Sequence, residues 1–129
     1  MKLKQFLTVN AIMFIPFGIG MLIVPYLIFP MIHVNLDSDG LLMASTVGSM
    51  LLSFGIICYV SRNESQHTIG MKAILTGNLT FHTIDFLLTL KGAYTGVMNA
   101  LGYMFSTLHF LFALGFLYFL FVSKKINKH

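Results

Sequence analysis

The sequence predicts an all-α protein: a four-helix transmembrane bundle running up-down-up-down, with both termini on the cytoplasmic side. Three observations carry that prediction. Hydrophobic residues make up 57% of the 129 residues and charged residues 9%, with a mean hydropathy of +0.84, far outside the range of soluble globular domains. Four apolar runs are each long enough to cross about 30 Å of hydrocarbon, for which roughly 20 residues suffice. Seven of the eight lysines and arginines fall on one side of the layout that those runs define. Residues 1–129 therefore read as a single integral membrane domain in the lipid bilayer.

The first span covers residues 6–29 and carries Pro16, Pro25 and Pro30, with Gly18 and Gly20 between them. Proline lacks a backbone donor and clashes with the preceding turn, so Pro16 is expected to kink this helix. Pro25 is expected to end it early or to begin a short interfacial piece. Asn10 shares a face with Phe14, Phe17 and Met21, where its amide would join a polar cluster or bond a neighbouring helix. Lys2 and Lys4 precede the run, but it is longer than the apolar part of a signal peptide, and no A-x-A-like cleavage site follows it.

The second span covers residues 41–60. Ser45, Gly48, Ser49, Leu52 and Gly55 share a face, with Ser53 at its margin, and Ser45-xxx-Ser49-xxx-Ser53 repeats a small-xxx-small pattern. Small residues let helix backbones approach within lipid, so this is a packing surface, either inside the chain or toward a partner. Asp37-Ser38-Asp39-Gly40 begins like a calcium loop but lacks the remaining ligands and the closing glutamate. It reads as a polar turn supplying an N-cap. Cys58 is the sole cysteine, which excludes an intrachain disulfide and a cysteine-based metal cluster, and it reads as a small buried hydrophobe.

The third span covers residues 71–90 and contains Asn78, His82, Asp85 and Thr89. These positions are spaced i, i+4, i+7 and i+11, within roughly 60° of one another on a helix. Ionisable groups inside a span are expensive and mark a functional site by default. Asn78-Leu79-Thr80 matches a glycosylation sequon that cannot be used inside a span. The fourth span covers residues 100–122, with Gly102, Ser106, His109 and Ala113 on one arc. His82 lies eight residues before residue 90, and His109 nine residues after residue 100. Both are therefore roughly 12–14 Å below the outer boundary and able to meet.

The connections, residues 33–40, 61–70 and 91–99, are short, which makes successive helices antiparallel neighbours. Lys2, Lys4, Arg62, Lys72, Lys124, Lys125 and Lys128 share one side and only Lys91 lies opposite. The positive-inside rule then places both termini in the cytoplasm, and a bacterial inner membrane is the expected location. The tail Lys124-Lys125-Ile126-Asn127-Lys128 reads as a stop-transfer anchor. A net charge of +4 without a basic cluster interleaved with aromatics is no nucleic-acid signature. His33, His67 and His129 read as solvated. With no tryptophan, an aromatic belt would come from Tyr26, Tyr59, Tyr94, Tyr103 and Tyr118.

The polar stripe supports four readings. His82, Asp85 and His109 could bind a divalent transition metal, since imidazole and carboxylate suit zinc or iron. His82 and His109 could be axial ligands of a haem among Phe81, Phe105, Phe110 and Phe112. Asn78, His82, Asp85, His109 and Asn10 could surround a cavity that binds a small polar ligand or ion, or relays protons. Finally, the groups could satisfy one another as interhelical glue, with His82 bonded to Asp85, His109 to Ser106 or a backbone carbonyl, and Asp85 reaching interfacial water or Lys91.

A proline-bearing first span, a Gly/Ser-rich second span ending "GIICYVSR" and two further spans together resemble the small four-span bacterial membrane proteins grouped as DoxX-like, with neighbouring families of unknown function. The resemblance rests on layout across most of the chain and implies a link to quinone-coupled redox chemistry. Three classes follow. The first is a membrane protein that binds or translocates a small ligand, ion or proton at the His/Asp/Asn site. The second is a non-catalytic subunit or homo-oligomer that binds a membrane protein partner through small-residue faces. The third is a cofactor-dependent redox protein. No nucleophile–base pair with an oxyanion hole is visible, so hydrolysis ranks lowest and an enzyme is not the favoured expectation. A solvent-connected cavity reaching Asp85 favours the first class. A closed, fully paired cluster beside an exposed small-residue groove favours the second.

Overall fold

A computed structural model describes residues 1–122. Lys124, Lys125, Lys128 and His129, and with them the stop-transfer reading of the tail, lie outside the described residues. Between short connections the described residues are helical: α1 (Leu3–Ile23), α2 (Pro25–Met31), α3 (Ser38–Ser61), α4 (Ile69–Tyr94) and α5 (Leu101–Leu117), which continues into a π-helical turn, Tyr118–Val122. Four helices are long and apolar enough to cross a membrane. Their outward faces are apolar and exposed, while Asn10, Asn78, His82 and Ser106 are buried. This is the inside-out pattern of a multi-pass membrane protein.

Helix boundaries follow local chemistry. The first apolar run divides, because Val24 leaves helical geometry (φ −133°, ψ 47°) immediately before Pro25. A residue preceding proline is disfavoured in the α region, and proline is well suited to a first helical position. α1 itself continues through Pro16; the interruption comes at Val24, one turn after the glycine pair. The N-cap reading of Asp37 holds, its carboxylate accepting from the Gly40 amide at 2.8 Å. Thr68 caps α4 the same way, accepting from Met71 N–H at 3.1 Å. α4 runs a turn beyond the expected end at residue 90, to Tyr94, and stops where Gly96 takes a positive φ of 76°, a conformation glycine adopts without strain.

The helices form two tight pairs, α1 with α3 and α4 with α5, while α3 and α4 meet only briefly. α1 and α3 touch backbone to backbone. A β-carbon on Gly18 would lie 2.5 Å from the Leu52 amide nitrogen, and one on Gly48 would lie 2.7 Å from the Leu22 nitrogen. The face used is thus Ala44, Gly48, Leu51, Gly55 and Cys58. Ser49 and Ser53 are exposed, their hydroxyls donating to Thr46 O and Ser49 O. The expected serine repeat does not pack within the chain; the glycines beside it do. On α5 the expected small face does pack on α4: Gly102 meets Ala93, and Ser106 Oγ donates to Phe86 O at 3.2 Å.

The up-down order is visible at both ends. At one end the Asn99 amide donates to Ile32 O at 3.1 Å, joining the first and third connections. At the other, Gln66 donates to Phe119 O, and the rings of Phe6 and Phe119 are 5.2 Å apart. The terminal end is filled by a cluster that includes Phe6, Leu7, Cys58, Met71, Leu75 and Phe116. Toward the α2 end only Phe14, Met21 and Leu51 are buried together, and the space between the helix pairs opens into a cavity.

Candidate functional site

All five expected site residues come together, in series rather than around a point. Asn78 Nδ2 donates to Ile74 O at 2.9 Å. Asn10 Nδ2 donates to Asn78 Oδ1 at 3.3 Å. Asn10 Oδ1 faces His82 Nε2 at 3.0 Å, His82 Nδ1 faces His109 Nδ1 at 2.9 Å, and His109 Nε2 faces Asp85 Oδ2 at 3.0 Å. Three helices supply the chain: α1 gives Asn10, α4 gives Asn78, His82 and Asp85, and α5 gives His109. Each of these links except the first joins two helices.

Two partners differ from expectation. Asp85 pairs with His109 rather than with His82 or Lys91; Lys91, six residues on in the same helix, lies on a different face. His109 therefore bonds the carboxylate and His82, while Ser106 bonds elsewhere. Cys58, read from sequence as an apolar filler, belongs to the polar chain. Its Sγ lies 3.4 Å from Asn10 Nδ2 and 3.6 Å from Asn78 Oδ1. Nothing in the sequence around Cys58 signals this.

His82 is completely buried. Its imidazole stacks against Phe14, Phe112 and Phe116, with ring centroids 5.1, 5.0 and 5.5 Å away. Both its nitrogens are occupied, so the ring is fixed in orientation. His109 and Asp85 are less enclosed, with side chains 15% and 34% exposed. Thr89, the last residue of the expected stripe, turns its hydroxyl to Asp85 O at 2.7 Å.

A divalent metal or haem would have to use the two histidines differently. Their facing nitrogens are 2.9 Å apart, whereas a metal held between two imidazoles needs about 4 Å, twice a bond of about 2 Å. Among the described residues no group of three or more His, Cys, Asp or Glu side chains converges on a metal position. The arrangement is a relay of pairwise contacts.

Asp85, His109 and His82 end on a cavity of about 590 Å³, a size typical of small-molecule sites. Its walls are otherwise almost wholly apolar, including Phe14, Phe17, Phe29, Phe81, Phe105 and Phe112 with Met13, Met21, Met43 and Met98. The two connections at that end form a roof through Ile32, Val34, Leu36, Val97 and Met98. Asn99 fastens the roof, adding an Nδ2 bond to Met31 O at 2.9 Å. On the side between α3 and α4, lining residues Met43, Val47 and Leu88 are themselves exposed. The cavity rim there is apolar and lies along the spans. No protein-family model, curated protein or solved structure matches the chain.

Proposed function

We propose that this is a multi-pass protein of the bacterial inner membrane, with cytoplasmic termini, that binds a small amphiphilic molecule drawn from the bilayer. One observation carries the reading: a cavity of about 590 Å³ with apolar walls reaches a single ionisable pair, Asp85 and His109. Such a space suits a hydrophobic body with one polar end placed at that pair. A small, fully polar ligand or a bare ion would lose hydration against phenylalanine and methionine with little return. The apolar rim at Met43, Val47 and Leu88 favours access from lipid, under a roof that closes the end. Binding is favoured over passage, because below His82 the bundle is filled by Phe6, Leu7 and Phe116. The lysine asymmetry supports the orientation, placing the cavity in the outer half.

The test is thermal unfolding of the protein in lipid nanodiscs carrying a few mole per cent of octyl- or decyl-chain amphiphiles. At least one should raise the midpoint of the wild-type protein, and the rise should vanish in Val47→Trp and Leu88→Trp, which fill the cavity. Equal behaviour of all three proteins with every amphiphile would overturn the reading.

A second reading, a subunit that binds a membrane partner or its own copy through small residues, is favoured by the exposed Ser49 and Ser53, which border a shallow cleft of about 190 Å³ with Met50, Phe54 and Ile57. Cross-linking at Ser53→Cys in a Cys58→Ala background tests it.

A further inference from the structure

The orientation of every group in the polar chain is dictated by one backbone carbonyl. Ile74 O can only accept, so the Asn78 group that faces it is the NH₂ and Asn78 Oδ1 faces Asn10. That oxygen accepts, so Asn10 presents NH₂ to Asn78 and its own oxygen to His82. His82 Nε2 must therefore carry a hydrogen. Cys58 fits the same sense, receiving from Asn10 and donating to Asn78.

Proton counting then fixes the rest. The contact between the two Nδ1 atoms holds one hydrogen, and so does the contact between His109 Nε2 and Asp85 Oδ2. Adding the hydrogen on His82 Nε2 gives three protons for two imidazoles and one carboxyl group, the number that makes the trio neutral overall. The proton can reside on Asp85, on His109 as an imidazolium, or on His82 as an imidazolium, without changing that balance. It goes no further, because the Asn10 amide oxygen cannot pass a proton on. A fourth proton on Asp85 Oδ1 would leave a net positive charge in a cavity whose lining offers no other acid, a costly state away from water.

In all three arrangements Asp85 Oδ1, which accepts no hydrogen bond from the described residues, remains an acceptor. We propose, resting on the cavity-binding reading above, that the site selects uncharged amphiphiles with a hydroxyl head, such as phenols or long-chain alcohols, and discriminates against acceptor-only heads such as ethers. Asn10 and Asn78 are then positioning residues for specificity: they touch no ligand, yet they set which side of the ligand contact donates. A ligand with a donor gains a bond to Asp85, charge-assisted in the two arrangements that leave the carboxylate ionised, and one without it leaves the carboxyl oxygen unpaired against an apolar surface.

The test compares para-octylphenol with its methyl ether, para-octylanisole, in nanodiscs, with Val47→Trp as the filled-cavity control. The phenol is expected to bind the wild-type protein at least about tenfold more tightly, a difference of about 1.4 kcal/mol. Asn78→Leu should reduce the preference to less than about threefold. Equal binding of the two probes, or tighter binding of the ether, overturns the selection while leaving the cavity reading intact. No binding of either probe that is sensitive to Val47→Trp overturns both. An independent readout uses nitrogen-15 NMR of histidine-labelled wild-type protein: His82 should be protonated at Nε2 in every condition in which the protein is folded. A His82 protonated only at Nδ1 overturns the proposal whatever the probes do.

Discussion

The two ends of this bundle use the same residue types for opposite purposes. At the terminal end, phenylalanines interlock: Phe6 meets Phe116 edge-on at 4.7 Å and lies 5.8 Å from Phe112 and 5.2 Å from Phe119. At the α2 end, Phe17 and Phe105 meet at 5.8 Å and, with Phe29, line the cavity. The difference comes from what lies between the helix pairs. At the terminal end side chains from α1 reach α5 directly, to the extent that Gly115 is needed, since a β-carbon there would lie 2.4 Å from the Phe6 ring. At the α2 end, α1 is held against α3 by the Gly18–Gly48 contact, and the Phe17–Phe105 pair reaches α5 beside the cavity. The polar chain sits on the boundary, its asparagine end in the packed half and its carboxylate end in the hollow one.

The largest expected effect lies in the packed half. Phe116→Ala should cost about 3–5 kcal/mol in reversible unfolding in detergent, the range for deleting a buried aromatic ring. Phe29→Ala, whose ring already faces space, should cost about 1 kcal/mol or less. Equal losses would abolish the contrast between the ends.

At the boundary, Asn10→Leu should cost about 1–3 kcal/mol, because His82 Nε2–H and Asn78 Oδ1 both lose a buried partner. Restoring a similar cost with Asp85→Asn would show that the exposed end is as tightly structural as the buried one. We expect less than about 1 kcal/mol there, typical of a polar contact in a membrane bundle. The smallest effect belongs to the roof. Asn99→Ala removes the Nδ2 bond to Met31 O while the backbone N–H bond to Ile32 O remains, and it should scarcely alter unfolding. It should still speed maleimide labelling of a Met98→Cys, Cys58→Ala protein; an unchanged rate would show that the roof does not depend on Asn99.

Much of this was legible in the sequence, and for identifiable reasons. Four apolar runs and their short connections forecast the bundle because hydrocarbon thickness imposes a length. The spacing of Asn78, His82 and Asp85, and the matched depth of His82 and His109, forecast which groups would meet because helical rise and periodicity are fixed. What escaped depends on rotation and on termination. A serine repeat and the adjacent glycines differ by a small rotation about the α3 axis, and only the close backbone contact with Gly18 selects the glycines. The added turn of α4 ends just before Gly96, a glycine within the connection that follows the apolar run, and it keeps Lys91 in the helix. Cys58 joined the polar chain because α3 brings its Sγ to 3.4 Å from Asn10 Nδ2 and 3.6 Å from Asn78 Oδ1, an adjacency that exists only in three dimensions. The cavity is a property of the space between helices, and no residue pattern encodes it directly.

The neutrality of the Asp85–His109–His82 trio has an electrical consequence. A charge carried across a membrane responds to the potential by about 2.3 kcal/mol per 100 mV, so a site that gained or lost net charge inside a membrane would feel that potential. Here the shared proton only moves back and forth among three neighbouring groups, and an uncharged ligand brings no charge of its own. If the cavity binds an uncharged amphiphile as proposed, its occupancy should thus be the same in an energised membrane as in a de-energised one.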